Sequence, residues 1–189
     1  MRIPIGISNR HIHLSQVDAD KLFGKWYEFK RIKDLSQPGE SACEETLTIK
    51  WNKWEIKNVR VLLPFRKQTQ VEIFMWDNYV LWCKAPIRLS GNLEGSESLY
   101  LIWPKWTVYL QEWVIVAKRH LHITQAEADE RWLKKNQIIK IKTNNPDRWL
   151  VFDNVVVRSG DKYALDFHID MEEANASGVR MGDWGEIIS

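Results

Sequence analysis

The amino-acid sequence lacks several features that would assign it to a specialised class of protein. Its 27 basic and 25 acidic residues are well mixed and leave a net charge of only +2, so no surface for nucleic acid or an anionic membrane is predicted. No apolar run approaches the length of a membrane span, and the residues before the first predicted strand lead us to expect no signal peptide. We therefore expect a cytoplasmic protein that binds neither nucleic acid nor a membrane.

Cysteine and glycine are both scarce. Cys43 and Cys83 lack CxxC spacing, so they predict small buried side chains in a reducing compartment rather than ligands or nucleophiles. Only 9 glycines stand against 11 tryptophans. Several tryptophans lie in two apparent hairpin connections, 51–54 and 103–106, at positions where a turn normally requires glycine or asparagine with a left-handed φ. The tryptophans therefore disagree with the turn chemistry that the pattern predicts.

Alternation of apolar and polar residues predicts a mainly β protein built from small barrels or sandwiches. The predicted strands are 45–50, 55–63, 70–74, 98–102, 107–110, 138–142 and 149–157. Helical signals are fewer, and two of them are capping motifs that begin at Ser15 and Thr124. The predicted short helices are about 15–23, 124–133 and 171–177, the last one ended by Gly178.

An internal duplication organises the chain. Residues 9–20, Asn-Arg-His-Ile-His-Leu-Ser-Gln-Val-Asp-Ala-Asp, align with residues 118–129, Lys-Arg-His-Leu-His-Ile-Thr-Gln-Ala-Glu-Ala-Asp. The clearest loop in the middle of the chain is 90–96. We therefore predict two small β-barrel domains, residues 1–92 and 93–189, and leave open an exchange of terminal strands between them.

Each half contains one His-x-His pair, His11 with His13 and His120 with His122. Residues i and i+2 of a strand point to the same face, so each pair presents two imidazoles side by side. Imidazole is the commonest protein ligand for zinc-like ions. The plain alternative is a pair of partly buried histidines with satisfied hydrogen bonds, but its repetition in both halves favours metal ligands.

A second repeat supplies a third donor in each half. Asn58-Val59-Arg60-Val61 and Asn154-Val155-Val156-Val157 match, and counting 14 residues from each asparagine leads to Glu72 and His168. Three protein ligands with an open fourth position are typical of a catalytic zinc. Glu72 considered alone is an ordinary exposed strand residue, and its position opposite His168 in the repeat favours a ligand.

These motifs resemble the PduL-type phosphate propanoyltransferases (phosphotransacylases) of bacterial microcompartments and propanediol utilisation. The resemblance covers nearly the whole chain in order, through residues 8–15, 33–39, 66–73, 84–91, 119–122 and 163–175. It implies two β-barrel domains, two zinc ions in one active site and a homodimer. It also implies the reversible conversion of a short-chain acyl-CoA, propanoyl or acetyl, and phosphate into acyl phosphate and CoA.

The resemblance also assigns roles to individual residues. One metal would be held by His11, His13 and Glu72, and the other by His120, His122 and His168. These donors suit cobalt or iron as well as zinc. Arg66 falls on the phosphate-contacting arginine of the family, and a guanidinium presents a planar fork to phosphate oxygens. The other active-site positions of the family correspond to Ser90, Gln70, Gln37 and Arg158, although Gln37 beside Pro38 also fits ordinary turn chemistry.

The predicted mechanism is direct attack of metal-held phosphate on the thioester, because every histidine is already committed to a metal and no nucleophile–base set is visible. Two alternatives stay open: a dinuclear zinc hydrolase of thioesters or phosphoesters, and a protein whose metals are only structural. Microcompartment members of the family often carry a targeting extension. This chain starts shortly before its first strand, so we expect no such targeting, and microcompartment association stays open.

The tryptophans depart from the family, which typically has glycine at these positions. The positions concerned are Trp26, Trp51, Trp54, Trp82, Trp103, Trp106, Trp113, Trp132 and Trp149. The replacements run in one direction and affect turns. One hypothesis is that the gene uses UGA codons for glycine, which have been translated as tryptophan.

Overall fold

Fourteen strands and four short helices make up residues 2–188, the part of the chain that the computed structural model describes. The strands are β1 (Ile3–Ser8), β2 (His11–Ser15), β3 (Arg31–Asp34), β4 (Ser41–Trp51), β5 (Trp54–Arg66), β6 (Gln70–Ile73), β7 (Ile87–Arg88), β8 (Glu97–Trp103), β9 (Trp106–Ala117), β10 (His120–Ile123), β11 (Ile138–Thr143), β12 (Val151–Ser159), β13 (Asp166–Asp170) and β14 (Trp184–Ile188). The helices are α1 (Gln16–Phe23), α2 (Asp77–Leu81), α3 (Gln125–Glu130) and α4 (Met171–Ser177). The predicted mainly β fold is confirmed.

The described chain divides into two compact units. The first barrel comprises residues 10–35 and 39–117, and the second barrel comprises residues 2–9, 36–38 and 118–188. These bounds differ from the predicted division at residue 92. The physical reason is strand pairing, because β8 and β9 pair with β4 and β6 of the first barrel, whereas β1 pairs with β13 and β14 of the second.

The first barrel is a ring of six strands in the order β4-β5-β2-β6-β9-β8, closed by pairing of β8 with both β9 and β4. β3 and β7 extend the sheet at β4 and β9. Period-2 burial along β4 explains the core, since Cys43, Leu47 and Ile49 are buried while the alternate residues Glu44, Thr46 and Thr48 are more accessible. Leucine, isoleucine and valine from the other strands complete that core.

The second barrel is a closed ring in the order β1-β13-β10-β12-β11-β14. Its centre is filled by apolar side chains, with Phe167, Leu121 and Ile141 fully buried. β1 completes this ring by pairing in parallel with β13 and antiparallel with β14. The second barrel therefore consists of the N-terminal strand and the C-terminal strands of the described chain.

Both barrels contain the same strand unit, as the predicted duplication requires. β2 pairs in parallel with β5 and antiparallel with β6, and β10 pairs in parallel with β12 and antiparallel with β13. Asn58 and Asn154 have nearly the same left-handed φ, 59° and 56°. The predicted two-barrel fold from an internal duplication agrees with this topology.

The helices begin where the capping motifs predict. Ser15 Oγ accepts a hydrogen bond from the Asp18 amide at the start of α1, and Thr124 forms a capping box at the start of α3. α3 ends at Glu130, earlier than predicted, because Trp132 adopts a left-handed φ of 57°. α2 was not predicted. Among residues 2–188, no helix has the length and apolar character needed to cross a membrane.

The tryptophan hairpins differ from the expectation. In the connection between β4 and β5, Asn52 adopts the left-handed angle, while Trp51 and Trp54 are paired strand residues. Trp103 and Trp106 are likewise paired across their turn. The expectation that these hairpin tryptophans occupy left-handed positions is wrong. Four other tryptophans have positive φ, and they are Trp26, Trp82, Trp113 and Trp132.

Candidate metal centres

The first barrel brings its three predicted ligands together. His11 and His13 lie on β2, and Glu72 lies on β6 directly opposite His11. The Nε2 atoms of the two histidines are 3.1 Å apart, and His11 Nε2 is 3.4 Å from Glu72 Oε2. All three residues are buried, and their ligand atoms lie within 4.8 Å of one another. One cation could therefore be held by all three side chains.

The second barrel repeats this geometry with three imidazoles. His120 and His122 lie on β10, and His168 lies on β13 opposite His120. The Nε2 atoms of His120 and His122 are 2.9 Å apart, and the His168 ring stacks on His120 with centroids 5.1 Å apart. The ligand atoms of the three residues again lie within 4.8 Å of one another.

The protonation of these histidines suits metal binding. Burial, and then the charges of His11 and Arg66, lower the pKa of His13 well below 6.5. Burial, followed by the charge of His168, also lowers the pKa of His120, and that of His122 falls to about 3. These rings are therefore neutral near pH 7, which is the form that binds a metal.

The tautomer of His120 is also fixed. Its Nδ1 lies 2.8 Å from the backbone carbonyl of Lys118, and a carbonyl can only accept a hydrogen bond. Nδ1 must therefore carry the hydrogen, which leaves the Nε2 lone pair directed at Nε2 of His122. A cation held by this lone pair would also be within reach of Nε2 of His122, so the donor set fits a metal ion.

A chain of hydrogen bonds joins the first ligand set to an arginine. The Gly91 amide donates to Gln70 Oε1, which orients the Gln70 side chain so that its NH₂ group donates to Glu72 Oε1 and to Ser90 Oγ. Arg66 Nη1 donates to the same Ser90 Oγ at 2.7 Å. The structure thus brings three predicted site residues, Arg66, Ser90 and Gln70, together with the candidate ligand Glu72.

The second ligand set has polar neighbours that sequence reasoning missed. Asp166 Oδ2 accepts a hydrogen bond from Ser36 Oγ at 2.7 Å and lies 3.5 Å from His168 Nδ1. Burial alone would raise the pKa of Asp166, but His168 and Ser36 together lower it below its ordinary value. Asp166 could have been found in the sequence, since it stands two residues before His168 as Gln70 stands before Glu72.

The remaining predicted site residues belong to the second barrel. Arg158 lies opposite His122 on β12 and donates to the hydroxyl of Tyr163, whose ring packs against His122 at 4.5 Å between centroids. Gln37 is buried, and its amide exchanges two hydrogen bonds of 3.1 Å with the backbone of Ala164. Gln37 therefore anchors the segment before β13, whereas Arg158 stands beside the imidazoles.

The two cysteines are separate from these groups of ligands. Burial raises the pKa of the thiols of Cys43 and Cys83 to about 11. Both side chains are buried, as the sequence predicted, and both are protonated at neutral pH. A thiolate nucleophile is therefore not available from either cysteine.

Each barrel contains a group of three possible metal donors. An arginine, a serine and a glutamine form a hydrogen-bond chain beside the group of the first barrel. These features define the protein as a β-barrel enzyme with candidate metal centres. Comparison with known proteins identifies the family. The sequence model of phosphate propanoyltransferase matches residues 4–180. The chain therefore belongs to the phosphate propanoyltransferase family, which makes it an acyltransferase.

Several curated relatives are similar along almost their whole length. The phosphate propanoyltransferase of Thermotoga maritima is 44% identical over 98% of this chain and 89% of its own. That of Listeria monocytogenes is 44% identical over 98% and 87%, and that of Clostridioides difficile is 45% identical over 98% and 88%.

Proposed function

We propose that the protein is a metal-dependent phosphate acyltransferase that interconverts a short-chain acyl-CoA and phosphate with acyl phosphate and CoA. Propanoyl and acetyl groups are the proposed acyl groups. The family and the names of its relatives support the reaction. The observation that carries the mechanism is the hydrogen-bond chain from Arg66 through Ser90 and Gln70 to Glu72, which joins an anion-binding arginine to a metal-ligand set.

Two zinc ions are the proposed cofactors, and cobalt or iron would suit the same donors. The residues that would hold them are His11, His13 and Glu72 in the first barrel and His120, His122 and His168 in the second. When bound, zinc would supply Lewis acidity toward a thioester carbonyl or a phosphate oxygen. Neutral imidazoles and a buried carboxylate support this assignment.

Arg66 is the proposed phosphate-binding residue. Its guanidinium is about one-third exposed, with Nη1 donating to Ser90 Oγ and Nη2 3.7 Å from a carboxylate oxygen of Glu40. A guanidinium binds phosphate oxygens through parallel hydrogen bonds, so an oriented fork selects phosphate over water. Arg66 also lowers the pKa of His13, which supports its proximity to the ligand set.

Ser90 is proposed to donate to the substrate rather than to attack it. Its Oγ accepts hydrogen bonds from both Arg66 and Gln70, which occupy its two lone pairs. The hydroxyl hydrogen is the part left to interact with a substrate oxygen. A serine nucleophile needs a lone pair and a nearby base, and neither neighbour can take a proton.

The bond changes then involve the two substrates alone. A phosphate oxygen attacks the thioester carbonyl carbon, a C–O bond forms, and the C–S bond breaks as CoA leaves with the electron pair as a thiolate. Phosphate is an anion at neutral pH, so no general base is required. Ser90 and Arg66 offset negative charge on the oxygens as the tetrahedral intermediate forms.

Residues of the second barrel are proposed to support the same reaction. Arg158, oriented by Tyr163, would contact an anionic group of a substrate. Gln37 would act indirectly by fixing the backbone at Ala164. A homodimer, a cytoplasmic location and association with a microcompartment are further proposals that rest on the family resemblance.

The test is thiol release from propanoyl-CoA and acetyl-CoA by purified protein, with and without phosphate and after chelation. We expect release only with phosphate, reversal by acyl phosphate and CoA, and loss on chelation with recovery in zinc. Arg66→Ala should weaken phosphate use, and Arg31→Ala, at an exposed site of the same barrel, should not. Thiol release without phosphate would identify a hydrolase instead, and zinc-independent activity would leave the metals with a structural role.

A further inference from the structure

Gln70 and Asp166 occupy equivalent positions in the two barrels. Gln70 is the partner of His13 across β2 and β6, and Asp166 is the partner of His122 across β10 and β13. Each stands two residues before the third donor of its barrel. In a strand that spacing places both side chains on the same face, so each is the nearest strand neighbour of that donor.

The donor and acceptor roles are exchanged between the pair Gln70 and Glu72 and the pair Asp166 and His168. In the first barrel the donor to the metal is a carboxylate, Glu72, and its neighbour Gln70 offers an N–H group to one oxygen. In the second barrel the corresponding candidate donor is an imidazole, His168, and its neighbour Asp166 places a carboxylate oxygen 3.5 Å from His168 Nδ1. His168 Nδ1 is buried and makes no hydrogen bond, so the Asp166 carboxylate at 3.5 Å is the acceptor within reach. Each neighbour thus complements the ligand beside it.

The carboxylate of Asp166 is itself held in place. Ser36 Oγ donates to Oδ2 at 2.7 Å, although Ser36 lies 130 residues away in the sequence. Gly6 on β1 leaves the space, because a Cβ atom at Gly6 would lie 2.6 Å from Oδ1 and closer still to Oδ2. Gly6 is also the strand partner of His168. A glycine and a serine therefore maintain one buried carboxylate beside this imidazole.

We infer that Asp166 is a positioning residue for the second metal centre, with Ser36 and Gly6 as its supports. Its carboxylate keeps the hydrogen of His168 on Nδ1, which leaves the lone pair on Nε2 as the atom that would bind the metal. Partners of this kind orient ligand imidazoles and raise their basicity. The inference rests on the proposed metal centres of the preceding section.

The test measures zinc affinity rather than activity. Zinc binding by the whole protein is followed in competition with a chromophoric chelator, which resolves the number of equivalents and their affinities. In Asp166→Asn we expect one zinc ion per protein to bind about 10- to 100-fold more weakly. The affinity for the other zinc ion should be unchanged. Ser36→Ala should weaken the binding of that first zinc ion by less. The control is Asp161→Asn, which removes an exposed carboxylate of the same barrel.

The outcomes separate this inference from the proposed function. Two equivalents that bind equally tightly in Asp166→Asn and the natural protein would overturn the role of Asp166 alone. A natural protein that binds no zinc would overturn both the role and the proposed metal centres. If the zinc-free Asp166→Asn protein melts at a lower temperature, Ser36→Ala decides the question, because it keeps the carboxylate. Unchanged zinc affinity in Ser36→Ala together with Gly6→Ala would then overturn the inference.

A different observation carries a second inference. The non-glycine residues with positive φ among residues 2–188 are four asparagines and four tryptophans. Asparagine adopts this region readily, because its short side chain bonds to the local backbone, whereas a bulky side chain is strained there. The φ angles are 69° at Trp26, 54° at Trp82, 91° at Trp113 and 57° at Trp132.

Packing does not account for three of these tryptophans, whereas Trp113 is partly buried against the core of the first barrel. Trp26, Trp82 and Trp132 are 93%, 72% and 88% exposed, so their rings contribute little buried area. Trp82 caps the C-terminus of α2, where glycine is the preferred residue. Trp113 lies in β9 next to the shift in register with β8, where a bulge favours glycine. Glycine fits all four backbones without strain.

We propose that the natural polypeptide carries glycine at these four positions, through UGA codons read as glycine by its own translation machinery. The hypothesis drawn from the sequence included further positions, such as Trp51 and Trp106. Their backbone has no positive φ. The conformational observation therefore carries the proposal for the four left-handed residues only.

Peptide mass spectrometry of the protein purified from its natural source is the deciding test. Glycine at Trp26, Trp82, Trp113 and Trp132 is expected, and tryptophan at these positions would overturn the proposal. A recombinant pair adds a conformational check. Trp82→Gly should raise the melting temperature by roughly 2–8 °C. Trp76→Gly, at the other end of α2 with a φ of −63°, should not raise it.

Discussion

The Nε2 atoms of His120 and His122 face each other at 2.9 Å in a buried position. Burial keeps both rings neutral, because a charged imidazole there would lose its hydration and face a second imidazole. Without a metal ion these two nitrogens share at most one hydrogen. The stability of the second barrel should therefore depend strongly on what binds between them.

The zinc-free protein should lose stability in acid. The unfolded chain takes up a proton at His122 below about pH 6.5, whereas the folded state does so only near pH 3. The unfolded state binds more protons between these values, so the free energy of unfolding should fall as the pH decreases through that window. Urea unfolding at several pH values measures this. His122→Gln should give a shallower pH dependence, and a flat profile in the natural sequence would contradict the prediction.

The ligand pairs of the two barrels should be exchangeable only as pairs. Glu72→His alone places the Gln70 amide hydrogen against an imidazole, so zinc binding in the first barrel should weaken by about 10-fold or more. Adding Gln70→Asp rebuilds the pair found at Asp166 and His168 and should recover most of that affinity.

The measurement is zinc affinity in the four proteins of a double-mutant cycle. Gln70→Asp alone is the matched control. It puts a carboxylate beside Glu72 and should raise the pKa of that pair and weaken zinc binding near neutral pH. Additive effects of the two substitutions would show that Gln70 and Glu72 do not act together.

Ser90 should be important without being a nucleophile. Ser90→Ala removes the oxygen that accepts from Arg66 and Gln70, and leaving such donors unpaired costs about 1–3 kcal/mol. We expect kcat/KM for phosphate to fall by roughly 10- to 100-fold. Ser90→Thr keeps the hydroxyl and should retain more activity. An acyl group on Ser90 in the intact mass of protein incubated with acyl-CoA would contradict this role.

Neither cysteine should react readily in the folded protein. Burial raises the pKa of both thiols to about 11, so little thiolate exists near neutral pH. Iodoacetamide should leave activity unchanged and should label Cys43 and Cys83 only after unfolding, as counted by mass spectrometry. Rapid inactivation prevented by acyl-CoA would instead place a thiol at the active site.

The sequence predicts the two candidate ligand groups because both depend on local periodicity. Residues i and i+2 share a face in any strand, and the spacing of 14 residues from Asn58 to Glu72 recurs from Asn154 to His168. The structure adds the register, in which His11 stands opposite Glu72 as His120 stands opposite His168. The strands and the starts of the capped helices are predicted for the same reason, since both patterns depend on residues that are close together in the chain.

Contacts between distant segments could not be predicted in this way. Ser36 and Asp166 are 130 residues apart in the sequence and form a hydrogen bond, and neither belongs to a motif that predicts this contact. The boundary between the barrels also depends on long-range pairing, because β1 completes the ring formed by the C-terminal strands. The short helix α2 is not predicted from the sequence because its five residues are too few to show a helical period.

The pairing of Ile3 with Gly185 sets an order for folding on the ribosome. All strand pairs of the first barrel lie within residues 10–117, so this barrel can form while the rest of the chain is still being synthesised. β1 leaves the ribosome before the other described strands, whereas its partners β13 and β14 are the last two of them to be made. A nascent chain that stalls ahead of residue 184 would expose the edges of an open sheet, which makes late truncations prone to aggregation.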